Sequence, residues 1–163
     1  MKEHYWFGEW KPAQALSATG AATLCAQGQA KRREIAAYPL DKILALLDRM
    51  RQHWMNTAYK LRKLCAAELP EITGFSAAMV RQGLDELCWT LNPELLEKKL
   101  DTELRGPQRR DGLGPYRLEP LGVVLHVLAG NVFVGAAGSL VEGLITRNVN
   151  ILKMSPSEGF FLP

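Results

Sequence analysis

Polar and apolar positions follow two rhythms along this chain, one before and one after a glycine-rich break. Leu40, Ile43, Leu44, Leu47, Met50 and Trp54 recur at three- and four-residue intervals, the spacing of one helix face. The stripe resumes at Leu61, Leu64 and Cys65, which predicts one long helix or two stacked helices over 39–68. Pro70 is expected to stop it, because the proline ring excludes helical continuation and the preceding residue avoids the helical region. Ser76 suits the N-cap of a helix over 77–91 that carries Met79, Val80, Leu84, Leu87 and Cys88. Asn92-Pro93 punctuates again, and Pro93 fits the first turn of a short helix through Leu100. Helical signals therefore run from about Lys11 to Leu104.

The break is GPQRRDGLG, residues 106–114, a turn-rich connector. Beyond it the pattern becomes strand, turn, helix, strand. Tyr116–Leu118 reads as a short strand and Leu121–Leu128 as a longer apolar one. Phe133–Thr146 reads as a helix whose small face (Ala136, Ala137, Gly143) can approach a sheet closely, and Asn148–Met154 as the next strand. Strands this continuously apolar belong to parallel sheets covered on both faces, and strand–helix–strand makes a right-handed βαβ unit. The expected fold class is α/β: a helical region over 1–105, the connector and short strand over 106–118, then the opening of a parallel sheet over 119–163. Ligands of such sheets sit at the carboxyl ends of the strands, here Leu128 to Asn131 and Lys153 to Ser155.

Composition narrows the function classes. The 163 residues are 47% hydrophobic and 23% charged, ordinary for a globular chain long enough to form a core. A net charge of +3 gives little reason to expect nucleic acid. Lys31 to Lys63 holds nine basic residues against three acidic ones, but they alternate with the apolar stripe as the solvated side of an amphipathic helix does. Leu121 to Val141 carries no formal charge, yet four glycines, His126, Asn131 and Ser139 interrupt it, so a strand leading into a helix is expected rather than a membrane span. The first dozen residues lack the apolar core of a targeting segment. Cys25, Cys65 and Cys88 have no metal-like spacing and read as reduced thiols of a cytoplasmic protein, with no metal site expected.

Two glycine motifs fail on inspection. Gly130 and Gly135 have P-loop spacing, but Ala136 and Ala137 stand where Lys and Ser/Thr are needed. No Gly-x-Gly precedes the helix, so the dinucleotide fingerprint is absent, and Gly135 and Gly138 read as close-packing residues. What remains is an amide and an ammonium at adjacent strand ends. Asn131 can donate toward a developing oxyanion, and Lys153 can hold a ribose hydroxyl or a phosphate. An ordinary turn residue and a solvated strand-end charge explain the same two positions.

The stretch EPLGVVLHVLAGNVFVGAAGSLVEGLITRNVNILKMSPSE, Glu119 to Glu158, resembles the start of the cofactor domain of the aldehyde dehydrogenase superfamily. LAGN followed by SLVEGLITRNVNILKMS is most similar to the long-chain acyl-CoA reductases that supply fatty aldehyde in bacterial bioluminescence. The resemblance implies a Rossmann-like sheet of which this chain holds only the first βαβ. It implies that Asn131 helps form an oxyanion hole and that Val127, Leu128, Ala129 and Gly130 line the nicotinamide-ribose side. It places Lys153 on the adenosine ribose, with Ser155 beside it. The implied chemistry converts a fatty acyl-CoA or other acyl thioester to fatty aldehyde through a Cys acyl-enzyme and a nicotinamide hydride donor.

Three departures from the family pattern matter. Ala129-Gly130 replaces the Pro-Trp of many members. Pro156 stands where NAD-preferring members carry a Glu, which points to NADPH, with Glu158 two residues displaced as a partial substitute. No cysteine follows Cys88, and the family nucleophile and general-base Glu lie downstream of the Lys-x-Ser strand. The expectation is an N-terminal part of such a reductase, inactive alone, that functions with the remainder of the enzyme or as a homo-oligomer. The competing expectation is a non-catalytic helical interaction fragment associating through Leu121 to Ile145.

Overall fold

The computed structural model describes residues 3–12, 15–104, 119–129, 133–154 and 161. Among them lie six helices and two two-stranded sheets. The chain opens with an antiparallel hairpin, β1 Glu3–Trp6 and β2 Glu9–Pro12. Lys11 is therefore a strand residue, and the helical signals start later than the sequence suggests. The connecting Phe7 and Gly8 have φ of 48° and 95°, the sign a two-residue primed turn requires. Tyr5 faces Trp10 across the ladder at 5.1 Å between ring centroids, an aromatic cross-strand pair.

Five helices follow: α1 Ala18–Ala37, α2 Leu40–Met55, α3 Lys60–Thr73, α4 Ala77–Thr90 and α5 Pro93–Glu103. The stripe over 39–68 thus belongs to two helices. They separate at Asn56, whose Oδ1 accepts from the Ala58 amide and closes a local turn. Pro70 does not stop α3. It sits inside the last turns, where its missing N–H costs only one ladder bond, and the helix ends at Gly74 with φ 74°. Wholly buried Leu69 beside it shows why the extra turn holds. Ser76 caps α4 by accepting from the Met79 amide, and Asn92 caps α5 by accepting from the Glu94 amide, as the punctuation predicts.

Met50, Leu61 and Leu64, assigned to the apolar face from spacing, are exposed. The buried face of α3 instead carries Arg62, Cys65 and Leu69. Arg62 was expected on the solvated side; it is 8% exposed. Its guanidinium donates to the Trp54 carbonyl at the end of α2 and to the Leu84 carbonyl of α4, and pairs with Asp85. One cation thereby ties three helices together, which spacing alone cannot reveal.

The second half builds β3 Val123–Val127, α6 Phe133–Ile145 and β4 Val149–Lys153. The strands are parallel, with Val123 opposite Val149 and Val127 opposite Lys153. The βαβ unit is thus present; the connector and the expected strand Tyr116–Leu118 fall outside the described residues. Helix α6 is common to two clusters of buried side chains. Val141 and Ile145 join Leu44, Leu47, Leu96 and Leu100, while Phe133 joins Cys65, Leu69, Val80 and Leu84.

Glycines set the close approaches. A Cβ on Gly28 of α1 would lie 3.1 Å from Val123 Cγ2, so α1 rests directly on the start of both strands. On the opposite face, a Cβ on Gly143 of α6 would overlap Asn150 Oδ1 and lie 2.7 Å from its Cγ. Gly143 is therefore the packing glycine of α6. Gly135 is exposed and Gly138 faces open space, against the expectation that those two serve close packing. Alternation along the strands puts Leu125 and Val127 on the α1 face but beyond its reach, and they are 63% and 71% exposed.

Candidate functional site

The carboxyl ends of β3 and β4 lie side by side. Val127 and Lys153 are directly paired, and the Leu128 amide donates to the Lys153 carbonyl at 3.1 Å. Lys153 is exposed, as are Val127 and Ala129, whereas Leu128 turns into the protein. Four expected site positions, Gly130, Asn131, Ser155 and Glu158, lie outside the described residues. The structure thus brings Val127, Ala129 and Lys153 to one exposed strand end and excludes the Leu128 side chain from it.

Helix α6 begins at Phe133, just beyond this edge, and that start is firmly seated. The Phe133 ring rests against the backbone of Gly83 in α4, where an added Cβ would come within 2.7 Å of Cζ. Phe161 meets the other side edge-on at 5.1 Å and reaches Trp54 at 5.6 Å. The first turn of α6 is thus anchored to the helical layer by aromatic packing.

Beneath the sheet runs a polar chain that sequence reasoning missed. His126 Nε2 lies 2.9 Å from Asn150 Oδ1, and Asn150 Nδ2 donates to the Asn148 carbonyl at 2.8 Å. Because that donation fixes the amide, Oδ1 is the acceptor and His126 Nε2 carries the hydrogen. Asn148 Oδ1 accepts from the Gly122 amide, and its Nδ2 donates to Thr146 Oγ1. These side chains satisfy the inner face of the strands under α6. The available signal was polar residues recurring every second position, Asn148 and Asn150, inside an otherwise apolar strand.

The thiols are poorly placed for nucleophilic chemistry. Burial pushes Cys65 from its ordinary 9.0 up to about 11. Burial also raises Cys88, opposed by the neighbouring Arg62 guanidinium. Both therefore favour the protonated thiol, the weak form of the nucleophile. Cys25 is exposed on α1. Among the described residues, no cluster of His, Cys, Asp or Glu could hold a metal, and no helix is long and apolar enough to cross a membrane.

Comparison with known proteins returns a consistent answer. A long-chain acyl-protein thioester reductase of Vibrio harveyi is 29% identical over 127 residues, covering 74% of this chain and 27% of that protein. The protein of the same description from Aliivibrio fischeri is 28% identical over 127 residues, covering 74% of this chain and 26% of its own length. The chain therefore spans about a quarter of the length of these curated relatives. No solved structure matches significantly. The family model for acyl-CoA reductase (LuxC) matches residues 35–163, most of the chain, and the protein belongs to that family.

Proposed function

We propose that this chain is the N-terminal part of an NADPH-dependent reductase that converts fatty acyl thioesters, acyl-CoA among them, to fatty aldehyde in the cytoplasm. The observation that carries the reading is the in-register end of β3 and β4, where exposed Lys153 stands beside Val127 at the carboxyl edge of a parallel pair. That edge suits a dinucleotide: Lys153 supplies a cation for ribose or phosphate oxygens, and the adjoining exposed Val127 offers an apolar surface to a ring. Asn131, just before α6, would donate to the thioester oxygen as negative charge develops there. Ser155 would flank Lys153, and Gly130 would let the backbone approach the cofactor. Pro156, in place of an acidic side chain, removes a charge that would repel a 2′-phosphate, and Glu158 stands two residues displaced.

The cofactor supplies the hydride that reduces the acyl group. The acyl acceptor in this reading is a Cys outside the present residues, in keeping with the protonated state favoured at Cys65 and Cys88. The thiolate would attack the thioester carbonyl and expel the substrate thiol; hydride addition would then release aldehyde and restore the thiolate. Leu125 and Val127, bare on the α1 face, support a sheet whose face is covered by further chain in the whole enzyme.

The test is a titration of the chain with NADPH and NADH, followed by the nucleotide's own fluorescence. NADPH should bind more tightly, and Lys153→Ala should weaken it about tenfold, on the order of one charged hydrogen bond. Equal or tighter NADH binding would overturn the cofactor assignment. Acyl-CoA-dependent NADPH oxidation by this polypeptide alone would overturn the placement of the nucleophile elsewhere.

A further inference from the structure

Helix α3 packs through Cys65 and Leu69 against Val80 and Leu84 of α4, and its outer face is left in water. Leu61, Leu64 and Ile72 on that face are 46%, 43% and 40% exposed. The charges around them run against the helix. Lys60 and Lys63 are exposed in the first turn, where the helix dipole is positive, and Glu68 and Glu71 are exposed toward the last, where it is negative. Like charges also sit three residues apart in each half, which weakens an isolated helix. None of the four forms an ion pair among the described residues.

A second α3 laid antiparallel relieves both conflicts. Leu64 lies four residues after Lys60 and four before Glu68, so all three share one ridge of the helix. With a two-fold axis at Leu64, that residue meets its own copy, Lys60 stands opposite Glu68 of the second copy, and Glu68 opposite Lys60 of the second copy. Leu61 falls opposite Ala67 of the second copy, an exposed small residue that admits close approach. Each basic end of the helix then lies beside an acidic end. A parallel pair would set lysine against lysine and glutamate against glutamate, so the charge pattern selects the antiparallel sense.

We propose that α3 pairs antiparallel with α3 of a second copy of this chain, giving a two-fold dimer. One helix from each copy makes a small contact, so the dimer is weak and salt-sensitive. Two charge reversals test it. Lys60→Glu and Glu68→Lys each set like charges opposite one another, twice over by symmetry. Both replacements suit the helix dipole better than the native residues, so a lost dimer cannot come from a weakened helix.

Sedimentation equilibrium over a wide concentration range reads the outcome. The unmodified chain should dimerise at low salt and dissociate toward monomer at about 1 M salt, where screening shortens to about 3 Å. Each single variant should raise the dissociation constant about tenfold or more. Both replacements in one chain should restore the dimer. An equimolar mixture of the two single variants should restore it too, because one then carries two carboxylates on the ridge and the other two ammonium groups. A wild-type chain that is monomeric throughout overturns the proposal. So does a double variant or a mixture that pairs no better than the single variants. Single variants that dimerise as wild type does, the result expected if copies meet through the bare Leu125–Val127 face, overturn it as well.

Discussion

Replacing Gly143 by Ala tests the seating of α6 on the sheet. The new methyl would occupy the space of the Asn150 amide, overlapping Oδ1 and standing 2.7 Å from Cγ, with His126 Nε2 at 3.1 Å. Either α6 lifts, at an overpacking cost of about 1–3 kcal/mol, or the Asn150 side chain swings away. The second route breaks the contacts to His126 and to the Asn148 carbonyl, at about 1 kcal/mol each. Helix propensity returns about 1 kcal/mol on going from Gly to Ala. The expected net loss is about 1 kcal/mol, a fall of about 0.5 M in the urea midpoint for a domain of this size. Gly138→Ala in the same helix is the matched control. It meets nothing within 4 Å, keeps the propensity gain, and should stabilise by up to about 1 kcal/mol. Urea unfolding followed by far-UV circular dichroism measures both. Opposite signs for the same substitution in one helix are required. Pairing Gly143→Ala with Asn150→Ala should cost less than the sum of the two, because the truncated side chain makes room for the methyl. Strict additivity, or a Gly143→Ala protein as stable as wild type, would refute the close approach.

Other predictions follow from buried groups in the helical layer. Arg62→Met should destabilise by about 1–3 kcal/mol, because the Trp54 and Leu84 carbonyls lose their donor. Asp85→Asn, on a largely exposed partner, should cost under about 1 kcal/mol by the same urea assay. The Cys65 thiol should resist alkylation in the native protein at neutral pH while exposed Cys25 reacts, as mass spectrometry of trapped adducts can read. Folding holds the Cys65 proton more tightly than the unfolded chain does. Its contribution to stability is therefore full below about pH 9 and falls as pH rises from 9.0 toward about 11. Cys65→Ala should flatten that part of the stability–pH curve; an unchanged slope would refute the assignment.

The parts of the fold that were legible in the sequence are those that local chemistry decides. Ser76 and Asn92 cap helices because a short polar side chain reaches the amides of the next turn, and the parallel strands announce themselves by unbroken apolar runs. What escaped depends on neighbours distant in sequence. Arg62 lies on a stretch rich in basic residues, and only the carbonyls of Trp54 and Leu84 make it an interior residue. Pro70 breaks a helix in isolation, but burial of Leu69 and Cys65 outweighs one missing bond. The glycines of α6 look alike in the sequence, yet Gly143 has a sheet side chain pressed against it while Gly138 faces open space. At the strand ends, Val127 and Lys153 meet as the βαβ pattern predicts, whereas the inward turn of Leu128 follows from the period-two alternation that the apolar run concealed.

The contact of Gly28 with Val123 and Val149 bears on where this polypeptide can be cut. Family similarity begins at residue 35, inside α1, but Leu24 and Gly28 lie before that point. Gly28 marks the part of α1 that shelters the first residues of both parallel strands. A polypeptide trimmed to the matched region would keep both parallel strands and the whole of α6, yet lay bare two valines at the root of the sheet. Homology and cooperative folding therefore draw different borders here, and the folding border lies at least one helical turn earlier.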